Sequence, residues 1–234
     1  MNDLEAYFVN NPGRMIHKWW HYFEIYDRHL SRFRGTEVNL VEIGVYQGGS
    51  LQMWKHYFGE RARIWGIDIN PAVKQFAEDG INIIVGDQAD REFLRALARD
   101  VPQIDILIDD GGHTMVQQRT TMEELFPKID AHGVYICEDL HTSYWREFGG
   151  GHLDPRSFVE FSKNYIDRLS AWHSQDLQAL SVSEFTRTAH SMHYYDSMLV
   201  IEKRPVEEPK ARRTGAQTLA DASFPASPPV WRRG

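Results

Sequence analysis

One cysteine, no apolar run approaching the ~18 residues of a membrane span, and no surplus of basic residues mark the chain by what it lacks. A single thiol, Cys137, cannot close an internal disulfide, which suits a reducing cytoplasm. Its place inside an apolar stretch reads as a small buried hydrophobe. Without a long apolar run, no membrane-spanning helix is expected. Lys and Arg number 26 against 33 Asp and Glu, for a formal net charge of −7 with no basic stripe, so a nucleic-acid groove is disfavoured. The first residues, Met1 to Glu5, show neither a charged n-region nor an apolar h-region, so a secretory leader is not expected and the cytoplasm is the expected location. A hydrophobic content of 42% and a charged content of 25% belong to an ordinary globular protein with a full core.

Short apolar runs alternate with amphipathic stretches. Strands are expected near 38–43, 63–68, 81–86, 104–109 and 133–138, with helices near 50–58, 71–79, 90–100 and 114–127. Such alternation requires a parallel sheet with right-handed crossovers. A further helix is expected near 155–170, and the apolar stretches 177–185 and 196–203 read as an antiparallel pair. Upstream, residues 1–12 read as an irregular arm and 14–31 as a helix whose one broad apolar face includes Tyr26. This divides the chain into an N-terminal arm and helix (1–35), a central domain (36–204) and a tail (205–234) whose five prolines and mixed charge predict mobility.

Two strands end in acids: Ile104 to Asp109 runs into Asp110-Gly111-Gly112-His113, and Gly133 to Cys137 runs into Glu138-Asp139. Open α/β sheets bind ligands beyond the carboxyl ends of their strands, so these carboxylates are aimed into one crevice. Packed that closely they repel one another unless a divalent cation such as Mg²⁺ neutralises them. The first strand leads into Glu42-Ile43-Gly44-Val45-Tyr46-Gln47-Gly48-Gly49-Ser50, a glycine-bearing turn that opens a helix. Tyr46 stands where a dinucleotide-binding turn has its second glycine. It would obstruct a pyrophosphate, whereas a phosphate-free nucleoside such as S-adenosylmethionine tolerates it. Asp68 after the second strand lies where a ribose diol would sit, and Asp87-Gln88 after the third where an adenine edge would lie.

Glu42-Ile43-Gly44, Asp109 to His113, Glu138-Asp139-Leu140 and His193-Tyr194-Tyr195-Asp196-Ser197 resemble, across about residues 14–203, the metal-dependent sugar O-methyltransferases among the class I S-adenosylmethionine-dependent methyltransferases. That group includes the mycinamicin and macrocin enzymes, and similar short proteins methylate sugars of mycobacterial polysaccharides. The resemblance implies a Rossmann-like α/β fold with a mostly parallel seven-stranded sheet, helices on both faces and an antiparallel last strand. It implies Asp110, Glu138 and Asp139 as metal ligands and His113 as general base. Glu42, Gly44, Tyr46, Gly48, Ser50, Asp68, Asp87, Gln88 and Asp109 are the expected cofactor contacts.

The expected reaction is methylation of a hydroxyl on a small glycoside or oligosaccharide, either a methylmannose-type saccharide or a natural-product deoxysugar. The cation acidifies the hydroxyl and the histidine takes its proton. For the acceptor the candidates are His141, Tyr144 and Trp145 after the fifth strand, with His193 and Tyr194 further on. His17, Trp20 and His21 are expected either to cap the pocket or to pack against the sheet or a second subunit, which leaves a homo-oligomer open. A hydroxylase or oxygenase of the cephalosporin-pathway type is the enzymatic alternative, yet non-haem iron usually takes two histidines and one carboxylate. A nicotinamide-dependent dehydrogenase lacks support from Tyr46 and from any Tyr-x-x-x-Lys pair. A non-catalytic S-adenosylmethionine-binding module would have no use for three metal-type carboxylates and a base.

Overall fold

Neighbouring residues of the central strands divide between two cores, and this alternation makes the sheet a wall with helices on both sides. A computed structural model describes residues 1–219. In chain order its elements are α1 (Asp3–Val9), α2 (Tyr22–Leu30), β1 (Asn39–Ile43), α3 (Gly49–Phe58), β2 (Arg63–Asp68), β3 (Ile81–Val85), α4 (Arg91–Asp100), β4 (Ile104–Asp109), α5 (Met115–Leu125), β5 (Ile129–Cys137), α6 (Phe158–Leu169), α7 (Glu184–Thr188), β6 (Ala189–Tyr195) and β7 (Met198–Lys203). Leu40, Ile106 and Val134 face a core filled by Leu4, Phe23 and Trp54 of α1, α2 and α3. Val41, Leu107 and Tyr135, one residue on in each strand, face Leu97, Met122 and Phe158 of α4, α5 and α6.

The sheet order is β3-β2-β1-β4-β5-β7-β6. β1, β2, β3, β4 and β5 pair in parallel, while β7 pairs antiparallel with both β5 and β6. Six strands therefore run one way and the last strand of the chain runs against them, the seven-stranded Rossmann-like architecture that the sequence predicts. The crossovers between the parallel strands place their carboxyl ends, where the acids lie, along one rim.

The structure corrects four assignments. The arm is helical at Asp3–Val9, where Asn2 and Glu5 form a capping box and Leu4 is fully buried. The helix expected over 14–31 begins only at Tyr22. Tertiary contacts hold the preceding strap extended: the Arg14 N–H donates to Gln52 Oε1 (3.1 Å), and the bare Cα of Gly49 admits the Arg14 and Met15 carbonyls, which a Cβ there would meet at 2.4 and 2.3 Å. Residues 71–79 form only a short 3₁₀ turn, Pro71–Phe76. The stretch 177–185 is not a strand: Ser183 caps α7, and the partner of β7 is β6 at Ala189–Tyr195. Of the tail, residues 205–219 contain no helix or strand, and 220–234 lie outside the described residues. No helix among the described residues is long and apolar enough to cross a membrane.

Candidate active site

β1 and β4 lie side by side where the strand order reverses, the position at which open α/β sheets form a ligand crevice. A cleft of about 390 Å³ opens there, within the size range of small-molecule sites. Gly44, Tyr46, Asp68, Asp87 and Gln88 line it together with the apolar side chains of Ile43, Ile67 and Ile69. Asp110, His113 and Asp139 line it as well. Asp110 and Asp139 also line an adjoining hollow of about 100 Å³, with His17, Lys18, Trp19, Tyr22 and Glu138. The three residues therefore include two carboxylates shared by both spaces.

The turn after β1 brings the two halves together. Gly44 has φ +98°, and a Cβ there would stand 1.9 Å from the Asp110 carbonyl oxygen, so the turn lies directly against the end of β4. Asp68 braces the same turn: Oδ2 accepts the N–H groups of Val45 (2.9 Å) and Tyr46 (3.2 Å), and Oδ1 accepts that of Asn70 (2.9 Å). A carboxylate has about four lone-pair sites, so Asp68 keeps acceptor capacity toward the cleft. Tyr46, His113 and Asp139 all line the cleft and all have left-handed backbone, with φ of 49°, 56° and 54°. Each such residue costs roughly 1–2 kcal/mol, a cost that concentrates at ligand sites.

Strand pairing continues one residue beyond β4 and β5, which sets the acids side by side. The Asp110 N–H donates to the Ile43 carbonyl and the Glu138 N–H to the Asp109 carbonyl, each at 2.9 Å. His113 Nε2 lies 3.4 Å from Asp139 Oδ2 and 3.9 Å from Asp110 Oδ1. One ligand atom from each of these three residues fits within 4.8 Å of the others. Glu138 is turned away from that trio. Its Oε1 accepts the Tyr26 hydroxyl (2.6 Å), and both its oxygens accept the Lys18 ammonium at 3.0 and 2.9 Å. Lys18 Nζ also reaches Asp110 Oδ2 at 2.6 Å and Glu42 Oε1 at 3.4 Å. Tyr22 donates to Asp139 Oδ1 at 2.8 Å.

Sequence reasoning missed Lys18 and Tyr22 and placed Tyr26 only on an apolar face. Their signal was a four-residue spacing, 18, 22, 26, with a lone cation in an aromatic stripe.

The electrostatics follow from this packing. Burial raises the pKa of Glu138 well above the carboxylate range, and the nearby charge of Asp110 adds to the rise. Burial raises Asp110 and Glu42 too, with Lys18 opposing. Burial would lower the Lys18 pKa, but Asp110 and Glu138 outweigh it and hold the ammonium well above its usual value. Desolvation pushes His113 below the ordinary histidine value although the Asp139 charge opposes it. Three carboxylates, Glu42, Asp110 and Glu138, thus surround one ammonium, with Asp139 beside Asp110, an oxygen-rich set whose charge the single lysine only partly compensates and whose chemistry fits a hard divalent cation.

Several expected cofactor contacts stand behind the cleft instead of lining it. Glu42 is fully buried and accepts Ser50 Oγ (2.6 Å) and Trp54 Nε1 (3.1 Å), so Glu42 and Ser50 brace α3 against β1. Gly48 supplies the left-handed residue that starts α3. Asp109 is fully buried; burial pushes its pKa up to about 7, and it accepts the Gln88 amide. Gln88, which does line the cleft, also donates to Thr121 Oγ1 and accepts the Gly112 N–H.

Of the acceptor candidates, His141 sits beside Asp139, with Nδ1 hydrogen-bonded to Ser197 Oγ, and its ring packs between Trp19 and Trp145. Tyr144 and Trp145 are exposed at the same rim. His193 and Tyr194 are not brought to the cleft. His193 bonds Ser191 and packs on His29 under α2, while the Tyr194 hydroxyl donates to Ser162 of α6 on the opposite face of the sheet. Trp20 packs on Phe8 and Phe23, and His21 contacts the Asp196 carbonyl.

Residues 41–140, which hold the glycine turn and both acid-bearing strand ends, match the family model described as "Methyltransferase domain". The chain belongs to the methyltransferases. It is 39% identical over 215 residues to demethylmacrocin O-methyltransferase of Streptomyces fradiae, an alignment covering 87% of this chain and 53% of that protein. It is 37% identical over 191 residues to the 8-demethyl-8-alpha-L-rhamnosyl tetracenomycin-C 2'-O-methyltransferase of Streptomyces olivaceus, covering 78% and 50%. Among solved structures, MycE methyltransferase in complex with Mg, SAH and mycinamycin VI superposes with a TM-score of 0.75 at 33% identity, covering 87% of this chain and 53% of MycE. The chain spans about half the length of the relatives it matches, and the resemblance read from the sequence is borne out.

Proposed function

We propose that this methyltransferase moves the methyl group of S-adenosylmethionine to a hydroxyl of a sugar, on a small glycoside or oligosaccharide, with Mg²⁺ held by Asp110, Glu138 and Asp139. The observation that carries the reading is the position of His113. Its Nε2 stands 3.4 and 3.9 Å from oxygens of Asp139 and Asp110 at the edge shared by the nucleoside-sized cleft and the smaller hollow. The relatives' names support the acceptor class, since one is named for a rhamnosyl tetracenomycin and another for demethylmacrocin, and MycE holds Mg and SAH.

A bound Mg²⁺ supplies Lewis acidity to the acceptor hydroxyl. The chain's own residues do the rest. Asp68 and the apolar residues Ile43, Ile67 and Ile69 hold the nucleoside, and the left-handed turn at Tyr46 shapes its entrance. His113, kept neutral by burial, accepts the hydroxyl proton at Nε2 while the oxygen displaces S-adenosylhomocysteine from the sulfonium methyl. His141, Tyr144 and Trp145 offer one polar and two exposed aromatic surfaces to a sugar ring. The step needs in-line approach above all, so positioning supplies most of the rate.

The test is methyl transfer to a panel of rhamnosides, deoxysugar glycosides and partly methylated mannose and glucose oligosaccharides, with Mg²⁺ or with EDTA. Product that requires Mg²⁺ is expected. Transfer that survives EDTA would remove the metal role, and a preference for a non-sugar hydroxyl would overturn the acceptor class.

A further inference from the structure

Lys18 occupies the place where a cation bound by Glu138 has to go. Both oxygens of Glu138 lie within 3.0 Å of its Nζ, Asp110 Oδ2 lies at 2.6 Å, and the side chain is only 3% exposed. A divalent ion coordinated by Glu138 would sit about 2.1 Å from a carboxylate oxygen, in the space the ammonium fills. Glu138 is tethered at both ends: the Tyr26 hydroxyl donates to its Oε1 at 2.6 Å, and Gln118 Nε2 donates to its backbone carbonyl at 2.9 Å. The lysine sits on the strap before α2, outside any helix or strand, and has Glu42 at 3.4 Å as a third anion.

We propose that Lys18 is the resident counter-cation of this carboxylate cluster, that a divalent ion must displace it from Glu138 and Asp110, and that ion entry is thereby coupled to the strap at residues 14–21. The inference rests on the metal role proposed above. Buried carboxylates left uncompensated are strongly destabilising, so the ammonium keeps the cluster assembled before the ion arrives and sets the threshold the ion must exceed. The coupling reaches both spaces. His17, next to Lys18, lines the cleft and the hollow, and Trp19 packs its ring edge-on against His141 at 5.9 Å. Displacing Nζ therefore pulls on the residues that stand between the nucleoside and the acceptor. In this arrangement Lys18 is a positioning residue: it acts through Glu138 and Asp110, and the reacting atoms lie beyond it.

Two measurements decide it. The first is the affinity for Mn²⁺, read by EPR from the loss of the free-ion signal and competed with Mg²⁺, for wild type, Lys18→Met and Lys18→Arg. Lys18→Met removes the competing charge but keeps the stem, and is expected to tighten Mn²⁺ binding by ~10-fold or more. Its thermal stability should fall without the ion and recover with it, by more than wild type gains. Lys18→Arg keeps a cation with a bidentate grip and is expected to weaken Mn²⁺ binding, so it carries the test if Lys18→Met does not fold. The second measurement is amide hydrogen exchange with and without saturating Mg²⁺, in which residues 14–21 of wild type should lose protection. Equal or weaker Mn²⁺ affinity in Lys18→Met, unchanged affinity in Lys18→Arg, or no exchange response in the strap would overturn the proposal. Wild type that binds no Mn²⁺ at all would overturn it together with the metal role, and transfer in EDTA separates that result from a failure of the coupling alone.

Discussion

Replacing Gly44 by alanine tests whether the turn after β1 and the Asp110 end of β4 share one geometry. An added Cβ would meet the Asp110 carbonyl oxygen at 1.9 Å and its carbon at 2.6 Å, where ordinary contact begins near 3.4 Å. Backbone atoms must therefore separate by about 1.5 Å, and no side-chain rotation can relieve them. The φ of +98° adds strain that an L-residue pays and glycine does not. Taking roughly 1–2 kcal/mol for the backbone and 1–3 for overpacking, Gly44→Ala should destabilise the protein by about 2–5 kcal/mol. Urea unfolding monitored by circular dichroism should show this as a midpoint lower by about 1 M or more. The site should suffer separately, because a shift of about 1 Å at a positioning group can cost ~10²-fold in rate. Loss of Mn²⁺ affinity in the still-folded variant would report that displacement. A stability change under about 1 kcal/mol with wild-type ion affinity would refute the contact.

Three further substitutions probe the parts of the site. Asp110→Ala should abolish divalent-ion binding and methyl transfer while the circular dichroism spectrum stays native; wild-type turnover would sink the metal role. His113→Ala should leave S-adenosylmethionine affinity by calorimetry nearly unchanged and reduce turnover by ~10²–10⁴-fold, and an unaltered kcat would remove the base assignment only. Asp68→Ala removes three backbone hydrogen bonds, each worth about 0.5–1.5 kcal/mol or more to a charged acceptor. It should weaken S-adenosylmethionine at least ~10-fold and lower the urea midpoint, and an unchanged Kd would clear Asp68 of any part in the nucleoside site.

The parallel sheet was legible because its strands are short, nearly continuous apolar runs. Ile104 to Asp109 is buried at every position, which is what a strand covered on both faces looks like in a sequence. The edge was not legible for the converse reason. β6 reads His190-Ser191-Met192-His193, half-buried and polar, while the more apolar stretch before it, with exposed Leu177, is loop. The same pleat sorts the acids. Asp109 is the last residue of β4 and points inward to Gln88, whereas Asp110, one residue on, points to the cleft. Sequence alone locates both at the strand end, and the facing is decided by what α5 packs against.

Lys18 shows where local reading stops, since its partners lie 92 and 120 residues away in the chain. No pattern within a window of one or two turns can connect a lysine to carboxylates on two other strands. What joins them is α2, whose Tyr22 and Tyr26 bury their rings in the core and spend their hydroxyls on Asp139 and Glu138. A buried tyrosine hydroxyl needs a partner, and a buried carboxylate needs a donor, so each satisfies the other. The packing of the N-terminal helix and the orientation of the carboxylates are therefore one problem. A change that loosens α2 should reach the metal affinity before it reaches the strands, because the sheet has its own ladder while Glu138 and Asp139 draw side-chain donors from residues 18–26.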